Sequence, residues 1–283
     1  MHPVLFHIGS LVIPSYGATA AAGVLLALML AMNAARKLGA DPNRIWSLSI
    51  LMLFTALLGS RLLLVIANWT VLRSHPLWML SLAMIHHPLL AGIGSGIALA
   101  VAGLYARIHR MPLRTTADVL AAPLALGLGF EQIGALLAGS EYGTGAHVPW
   151  AITYTDPLAA RWSDAPLAIP VHPVQAYAAF GFFAIAAGIL IWLPLRRQHG
   201  DLAGLFLVSA GVVLYITEFW RDPIGRGALF WGVIKGPQVA GVVFVLAGAA
   251  MLLESESHRI APSPATTEPL PSAPVNMERP FHG

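Results

Sequence analysis

The sequence predicts an all-α, polytopic membrane protein of about seven transmembrane helices, with a long outward-facing cap loop and a disordered C-terminal tail. Three observations carry this. Of 283 residues, 57% are hydrophobic and 10% charged, where soluble domains average about 45–50% and about 25%. The mean hydropathy is +0.72. Apolar windows of about 17–25 residues, the length that crosses a bilayer core, recur along the chain.

The windows run in order through residues 14–32, 45–66, 89–105, 117–137, 175–193, 202–220 and 236–253. The first is rich in Ala and Leu; the third is short and glycine-rich. Residues 1–9 carry no Lys or Arg, so the positive n-region of a cleaved signal is missing and the first window is expected to remain as a span. Residues 1–254 form one transmembrane domain. From 255 onward Pro, Ser, Thr and Ala dominate and no apolar period persists, so residues 260–283 read as a disordered cytoplasmic tail.

Basic residues in short loops set the orientation. Arg36, Lys37 and Arg44 lie between windows one and two, Arg107, Arg110 and Arg114 between three and four, Arg196 and Arg197 between five and six. All three loops fall on one side of a seven-span arrangement, which places the N-terminus outside and the C-terminus in the cytoplasm. Arg221, Arg226 and Lys235 fall on the outer side against this bias and are free to serve a site there. Two outer loops are long. Residues 68–88 contain His86-His87, and residues 77–85 suit a short interfacial helix with Trp78 at headgroup depth. Residues 141–170 hold Trp150, Tyr154 and Trp162, which favours an ordered cap.

Some function classes are excluded. The chain has no cysteine, hence no disulfide framework, thiolate metal site or thiol nucleophile. A formal charge of +3 without a dense basic run offers no nucleic-acid patch. The histidines lack a ligand spacing with carboxylates, so no metal is expected, and no cofactor is implied.

Ionisable groups at membrane depth are costly and mark candidate function. Arg61 lies in the second window and Asp118 and Glu131 in the fourth; Glu218 and Arg221 lie at the outer end of the sixth. His172, Gln175 and Tyr177 stand at the start of the fifth. Each has a plain structural alternative. Asp118 suits the positive end of its own helix dipole. Glu218 and Arg221, spaced i, i+3, can pair with each other. His172 and Gln175 can be polar interface residues. Because these residues cluster toward one leaflet, they predict a polar, outward-facing cavity rather than a midplane transport path. Arg61, Glu218 and Arg221 are expected to line it, with residues 141–170 as its cap.

Short motifs follow one another in a set order: Pro3-Val4-Leu5-Phe6-His7-Ile8-Gly9 with Ser15-Tyr16-Gly17, then Leu58-Gly59-Ser60-Arg61, and Asp118 to Pro123 with Gly127-Leu128-Gly129. They continue with Glu141-Tyr142-Gly143, His172-Pro173-Val174-Gln175-Ala176-Tyr177, Glu218-Phe219-Trp220-Arg221-Asp222-Pro223 and Gln238. In this order, over residues 3–253, the chain resembles one known family, the prolipoprotein diacylglyceryl transferases of bacterial inner membranes. The resemblance implies transfer of a diacylglyceryl group from phosphatidylglycerol to the lipobox cysteine of a lipoprotein precursor, with a thioether formed and glycerol phosphate released. Bilayer lipids and precursor signal peptides would be the partners. The resemblance implies His172, Arg221 and Glu218 as catalytic residues, and Arg61, Gln175, Tyr177, Tyr16, Glu141 and Arg226 as substrate-binding residues. His86 and His87 join His172 as possible bases.

The sequence also departs from that pattern. A third-span His-Gly-Gly is replaced by Ala91-Gly92-Ile93-Gly94; a Gly-Arg and two asparagines give way to Glu131-Gln132, Ala135 and Ala138; a sixth-span arginine aligns with Leu214. Two readings stay open: a transferase or close variant, and a lipid-binding paralogue that has lost the chemistry. A transporter, a third class, would need charges tracking through the midplane on several helices, and Glu131 alone stands there.

Overall fold

A computed structural model describes residues 2–9, 11–72, 88–222, 228–229 and 234–257. A hairpin of β1 (Val4–Ile8) and β2 (Leu11–Pro14) leads into α1 (Ser15–Leu38), followed by α2 (Pro42–Ala67) and the single turn α3 (Trp69–Leu72). Next come α4 (Pro88–Ile108) and α5 (Leu113–Ala138). An arm carries β3 (Ile152–Thr153), α6 (Pro157–Ser163) and β4 (Pro170–Val171) before α7 (Val174–Trp192). After a 3-10 turn come α8 (Asp201–Thr217), β5 (Ala228–Leu229), β6 (Ile234–Lys235) and α9 (Gly236–Ser257). Among the described residues, five helices are long and apolar enough to cross a membrane, and Gly92–Ile108 and Asp201–Thr217 are shorter apolar helices. The protein is therefore a multi-pass, mostly helical membrane protein. His86, His87, Arg226, the 77–85 segment and the tail beyond Ser257 lie outside the described residues. Helix α9 continues to Ser257, past the domain boundary read at residue 254.

Helix ends follow local chemistry. The Asp41 carboxylate accepts from Asn43 N at 2.9 Å, with Pro42 pre-set at the first position of α2. Helix α1 stops at Gly39 (φ 72) and α5 at Gly139 (φ 82), both left-handed, a conformation glycine adopts without a Cβ penalty. The Asp118 carboxylate serves a different helix from the one expected. It accepts from Gly200 N at 2.7 Å and Ala203 N at 2.9 Å, and pairs with Arg196 at 3.2 Å. It caps the start of α8 from α5 because Asp118 lies a turn inside α5, beyond reach of that helix's own free N–H groups.

Helix α5 is the hub. Half of its apolar window is buried, against 6% for α2. On one side Ala121, Ala122 and Ala125 pack with Phe182, Leu202 and Phe206 of α7 and α8. On the other, Val119 joins Ala31, Ile45 and Ala102 from α1, α2 and α4. Leu58, Leu62, Phe180, Ile191 and Leu246 point outward, where acyl chains rather than water cover them. Helices α8 and α9 meet through glycines. A Cβ on Gly211 would stand 2.5 Å from Gly241 O, and one on Gly248 2.6 Å from Gly204 O. Small residues let backbones approach this closely in lipid, where packing replaces the hydrophobic effect between helices. Gly211→Leu is expected to destabilise by about 1–3 kcal/mol through overpacking, read as a lowered unfolding temperature in detergent.

The two ends of the bundle differ. Arg44 donates to His109 O at 2.9 Å, and Arg114 pairs with Glu254, which gathers the α1–α2 and α4–α5 loops and the end of α9 at one end. The hairpin, the arm and the Thr217–Asp222 turn lie at the other.

Candidate active site

Tyr16 lies in the first turn of α1, whose first residue, Ser15, donates through N to Pro3 O just before β1 (2.9 Å). Helices α1 and α5 approach closely there: a Cβ on Gly134 would stand 2.4 Å from Thr19 Oγ1. This brings the Tyr16 hydroxyl to donate to Glu131 Oε1 at 3.2 Å. Gln132 Nε2 donates to Glu131 Oε2 at 2.6 Å, and Gln132 Oε1 accepts from Arg221 Nη2 at 3.1 Å. Arg221 Nη1 pairs with Glu141. One chain of contacts thus runs Tyr16–Glu131–Gln132–Arg221–Glu141. Arg221 is 6% exposed, and its buried Nε has no partner among the described residues. A buried guanidinium with an unused donor is uncommon and marks a place for an acceptor.

The arm holds this cluster from outside. Glu141 (φ 56) turns the chain left-handed directly after α5. Residues 142–146 then run between two other segments. Thr144 N donates to Trp220 O (2.8 Å), Asp222 N to Tyr142 O (3.2 Å), and His172 N to Thr144 O (3.0 Å). Gly143 leaves no room for a Cβ, which would lie 2.5 Å from His172 O. Lys235, at the mouth of α9, donates through Nζ to Glu218 O (3.0 Å) and Arg221 O (2.7 Å), satisfying carbonyls at the negative end of α8.

Beside the cluster, between α7 and α8, lies a cavity of about 600 Å³. Val212, Val213 and Ile216 form its floor, and His172, Tyr177 and Trp220 its outer end, with Trp150 of the arm over it. The three outer rings stand 6.2–6.4 Å apart. Trp150 Nε1 donates to the Tyr177 hydroxyl at 2.7 Å, which fastens the arm over this space.

The structure brings several predicted site residues together. Tyr16, Glu141 and Arg221 join one cluster; His172 and Tyr177 border the cavity, linked at 3.3 Å. Glu218 is buried, one helical turn before Arg221. Gln175 is fully buried, and donates to Ser140 O at 2.6 Å and to the Tyr154 hydroxyl at 3.3 Å, so it anchors the arm. Arg61 lies on α2, whose main neighbours are α4 and α1 rather than α7 or α8, and Arg226 lies outside the described residues. Gln132, Trp150 and Trp220 join the site without having been assigned to it from sequence, and Lys235, read there only as a cation on the outer side, joins it too. The other signals were Glu131 beside Gln132 and Trp220 inside the Glu-Phe-Trp-Arg run.

Tyr154 reports on the arm. Burial pushes its phenol up to about 12, with the Gln175 hydrogen bond pulling the other way. The unfolded chain's tyrosines lose their protons near ~10, so the folded state holds this proton more tightly. The resulting stability is full below pH ~10 and is lost as pH rises through about 12. Tyrosinate absorbance is expected to show a late step that coincides with release of the arm and that Tyr154→Phe removes.

An apolar cavity with polar groups at one end, beside a buried arginine and carboxylates, all at one end of a membrane bundle, defines a membrane-embedded protein with a site suited to an amphiphile. Residues 3–254 match the prolipoprotein diacylglyceryl transferase family, and the chain belongs to that family. The phosphatidylglycerol–prolipoprotein diacylglyceryl transferase of Clostridium tetani is 30% identical over 235 residues, covering 80% of this chain and 88% of that protein. Its counterpart in Vibrio cholerae is 28% identical over 260 residues, covering 89% and 91%. That of Idiomarina loihiensis is 30% identical over 269 residues, covering 90% and 94%.

Proposed function

We propose that this protein is a phosphatidylglycerol-dependent diacylglyceryl transferase acting on the lipobox cysteine of lipoprotein precursors. Beside family membership, the observation that carries this reading is Arg221. It is a buried cation held in a fork by Glu141 and Gln132, with no partner for its Nε among the described residues. The reaction breaks the bond between the diacylglyceryl carbon and a phosphate oxygen and forms a carbon–sulfur bond. The electron pair leaves with glycerol phosphate, so charge grows on the phosphate in the transition state. A fixed guanidinium in a dry site stabilises that charge without reorganisation. The thiol proton needs an acceptor; the buried Glu218, and Glu131 in the chain of contacts that reaches Arg221, are carboxylates at this end of the bundle.

The protein lies in the bacterial inner membrane with its N-terminus outside and its C-terminus in the cytoplasm. Support comes from the end that gathers Arg44, Arg114 and Arg196, read through the cytoplasmic preference of basic loops. Arg61 remains a substrate-binding residue in this reading, from the α2 side.

The test is a transfer assay with purified protein in phosphatidylglycerol-containing micelles and a lipobox peptide. Release of glycerol phosphate matched by thioether formation on the peptide is expected. No release, with phosphatidylglycerol still bound, would overturn the reading in favour of a lipid-binding paralogue. Ala135, Ala138 and Leu214 favour that second reading, because the resemblance expects two asparagines and an arginine there.

A further inference from the structure

We infer that the cavity between α7 and α8 is a subsite for a fatty acyl ester, and that His172 recognises the ester carbonyl by donating through Nε2. The inference rests on the transferase reading, and it names which part of the lipid the cavity takes and how.

Counting protons assigns the donor. The Trp150 indole can only donate, and it donates to the Tyr177 oxygen at 2.7 Å. The Tyr177 hydroxyl has one proton of its own, and its other contact is His172 Nδ1 at 3.3 Å. All three groups are satisfied when Tyr177 donates to Nδ1. In the neutral ring Nδ1 is then the acceptor and Nε2 carries the proton. Nε2 has no partner among the described residues, and His172 lines the cavity. The ring therefore presents an N–H to a ligand, not a lone pair, and acts as a recognition group rather than as a base.

The remaining lining selects the ligand. The Thr217 hydroxyl is spent on Val213 O at 2.8 Å. Among the described residues, no Lys, Arg, Asp or Glu lines the cavity. One neutral donor above an apolar floor suits an uncharged acceptor joined to a hydrocarbon chain. A charged headgroup would go unpaired there, and a polyol would leave hydroxyls without partners. Along α8 the floor runs from Val212 to Thr217, about 7 Å at 1.5 Å per residue, and Trp220 stands beyond the helix end. Val212 and Ile216 are also exposed on the outer surface of α8, so the floor is continuous with the bilayer-facing surface and a chain enters sideways. The phosphate end of the same lipid then reaches toward Arg221, the residue next to Trp220.

The test compares diester phosphatidylglycerol with its dialkyl-ether analogue, which has the same headgroup and chains but no carbonyls. Binding is read by quenching of tryptophan fluorescence with brominated chains, since Trp150 and Trp220 border the cavity; transfer is read separately. The wild type is expected to bind the diester about 3- to 10-fold more tightly, the worth of one neutral hydrogen bond. His172→Phe should lose this preference. His172→Gln, whose amide N–H stands near the Nε2 position, should keep most of it. Ile216→Phe, a partly exposed position that tolerates bulk, should reduce quenching by either lipid if the chain lies on this floor. Equal binding of both lipids by wild type, a preference that survives His172→Phe, or quenching indifferent to Ile216→Phe would overturn the inference. So would a His172→Gln enzyme that binds normally but has lost turnover on both lipids equally, since that is the behaviour of a base. Absence of transfer by every variant, with the binding preference intact, would instead count against the transferase reading alone.

Discussion

Arg221→Ala is expected to lower kcat/KM for diacylglyceryl transfer by about 10²–10³-fold, the usual loss when one preorganised donor to a developing negative charge is removed. The loss should fall mainly on kcat, because the charge that Arg221 meets grows as the bond to phosphate breaks. Arg221→Lys should recover little. One ammonium cannot reproduce a fork that reaches Glu141 and Gln132 on different segments while keeping a third donor free. Truncation also removes the ion-pair partner of the Glu141 carboxylate, so part of any effect is lost stability. Arg221→Met with Glu141→Met separates the two: both charges go together, the unfolding temperature should recover relative to Arg221→Ala, and the rate should stay low. A rate that recovered with stability would show that Arg221 only holds the arm in place.

The fold was largely legible because the bilayer requirement is one-dimensional. Apolar length alone located the stretches that became the long helices. It said less about their ends. Helix α1 runs on to Leu38, past the window edge at Met32, because Arg36 and Lys37 are good helix formers that suit the negative end of the dipole. Helix α8 stops at Thr217, short of the 202–220 window, and the Trp220 carbonyl beyond it accepts from Thr144 N. The site was half legible. Glu131, Glu218 and Arg221 stood out because charge is rare at such depth. Their partners did not. Gln132 is uncharged, Trp150 meets Tyr177 across 27 residues, and Lys235 acts on backbone carbonyls, which no residue pattern announces. Gln175 was read as a substrate contact from its motif; in the structure its buried amide nitrogen donates to Ser140 O and the Tyr154 hydroxyl.

Asp118→Ala is expected to cost about 3–5 kcal/mol, the usual penalty for removing one partner of a buried, hydrogen-bonded ion pair. The carboxylate is fully buried and holds three groups at once: Gly200 N, Ala203 N and the Arg196 guanidinium. Loss of the side chain leaves two buried N–H donors at the start of α8 and a cation at 14% exposure without its counter-charge. The neighbouring Asp201 carboxylate is already engaged by Arg197 N and Gln198 N, and Arg196 would keep its contact with His199 Nδ1 at 3.1 Å, which supplies no counter-charge. Asp118→Asn keeps the shape and one acceptor oxygen, so it should fall between wild type and alanine. The effect should also reach the active site. Helix α8 runs from this cap to the turn that carries Glu218 and Arg221, and its glycine contacts with α9 fix its rotation. A frayed start should therefore lower the unfolding temperature in detergent and the transfer rate together, whereas Arg221→Met with Glu141→Met lowers the rate with stability largely kept. Asp118→Ala with an unchanged unfolding temperature would mean that the ends of α8 are held independently, and that the polar knot around Arg196 is a surface feature without structural consequence.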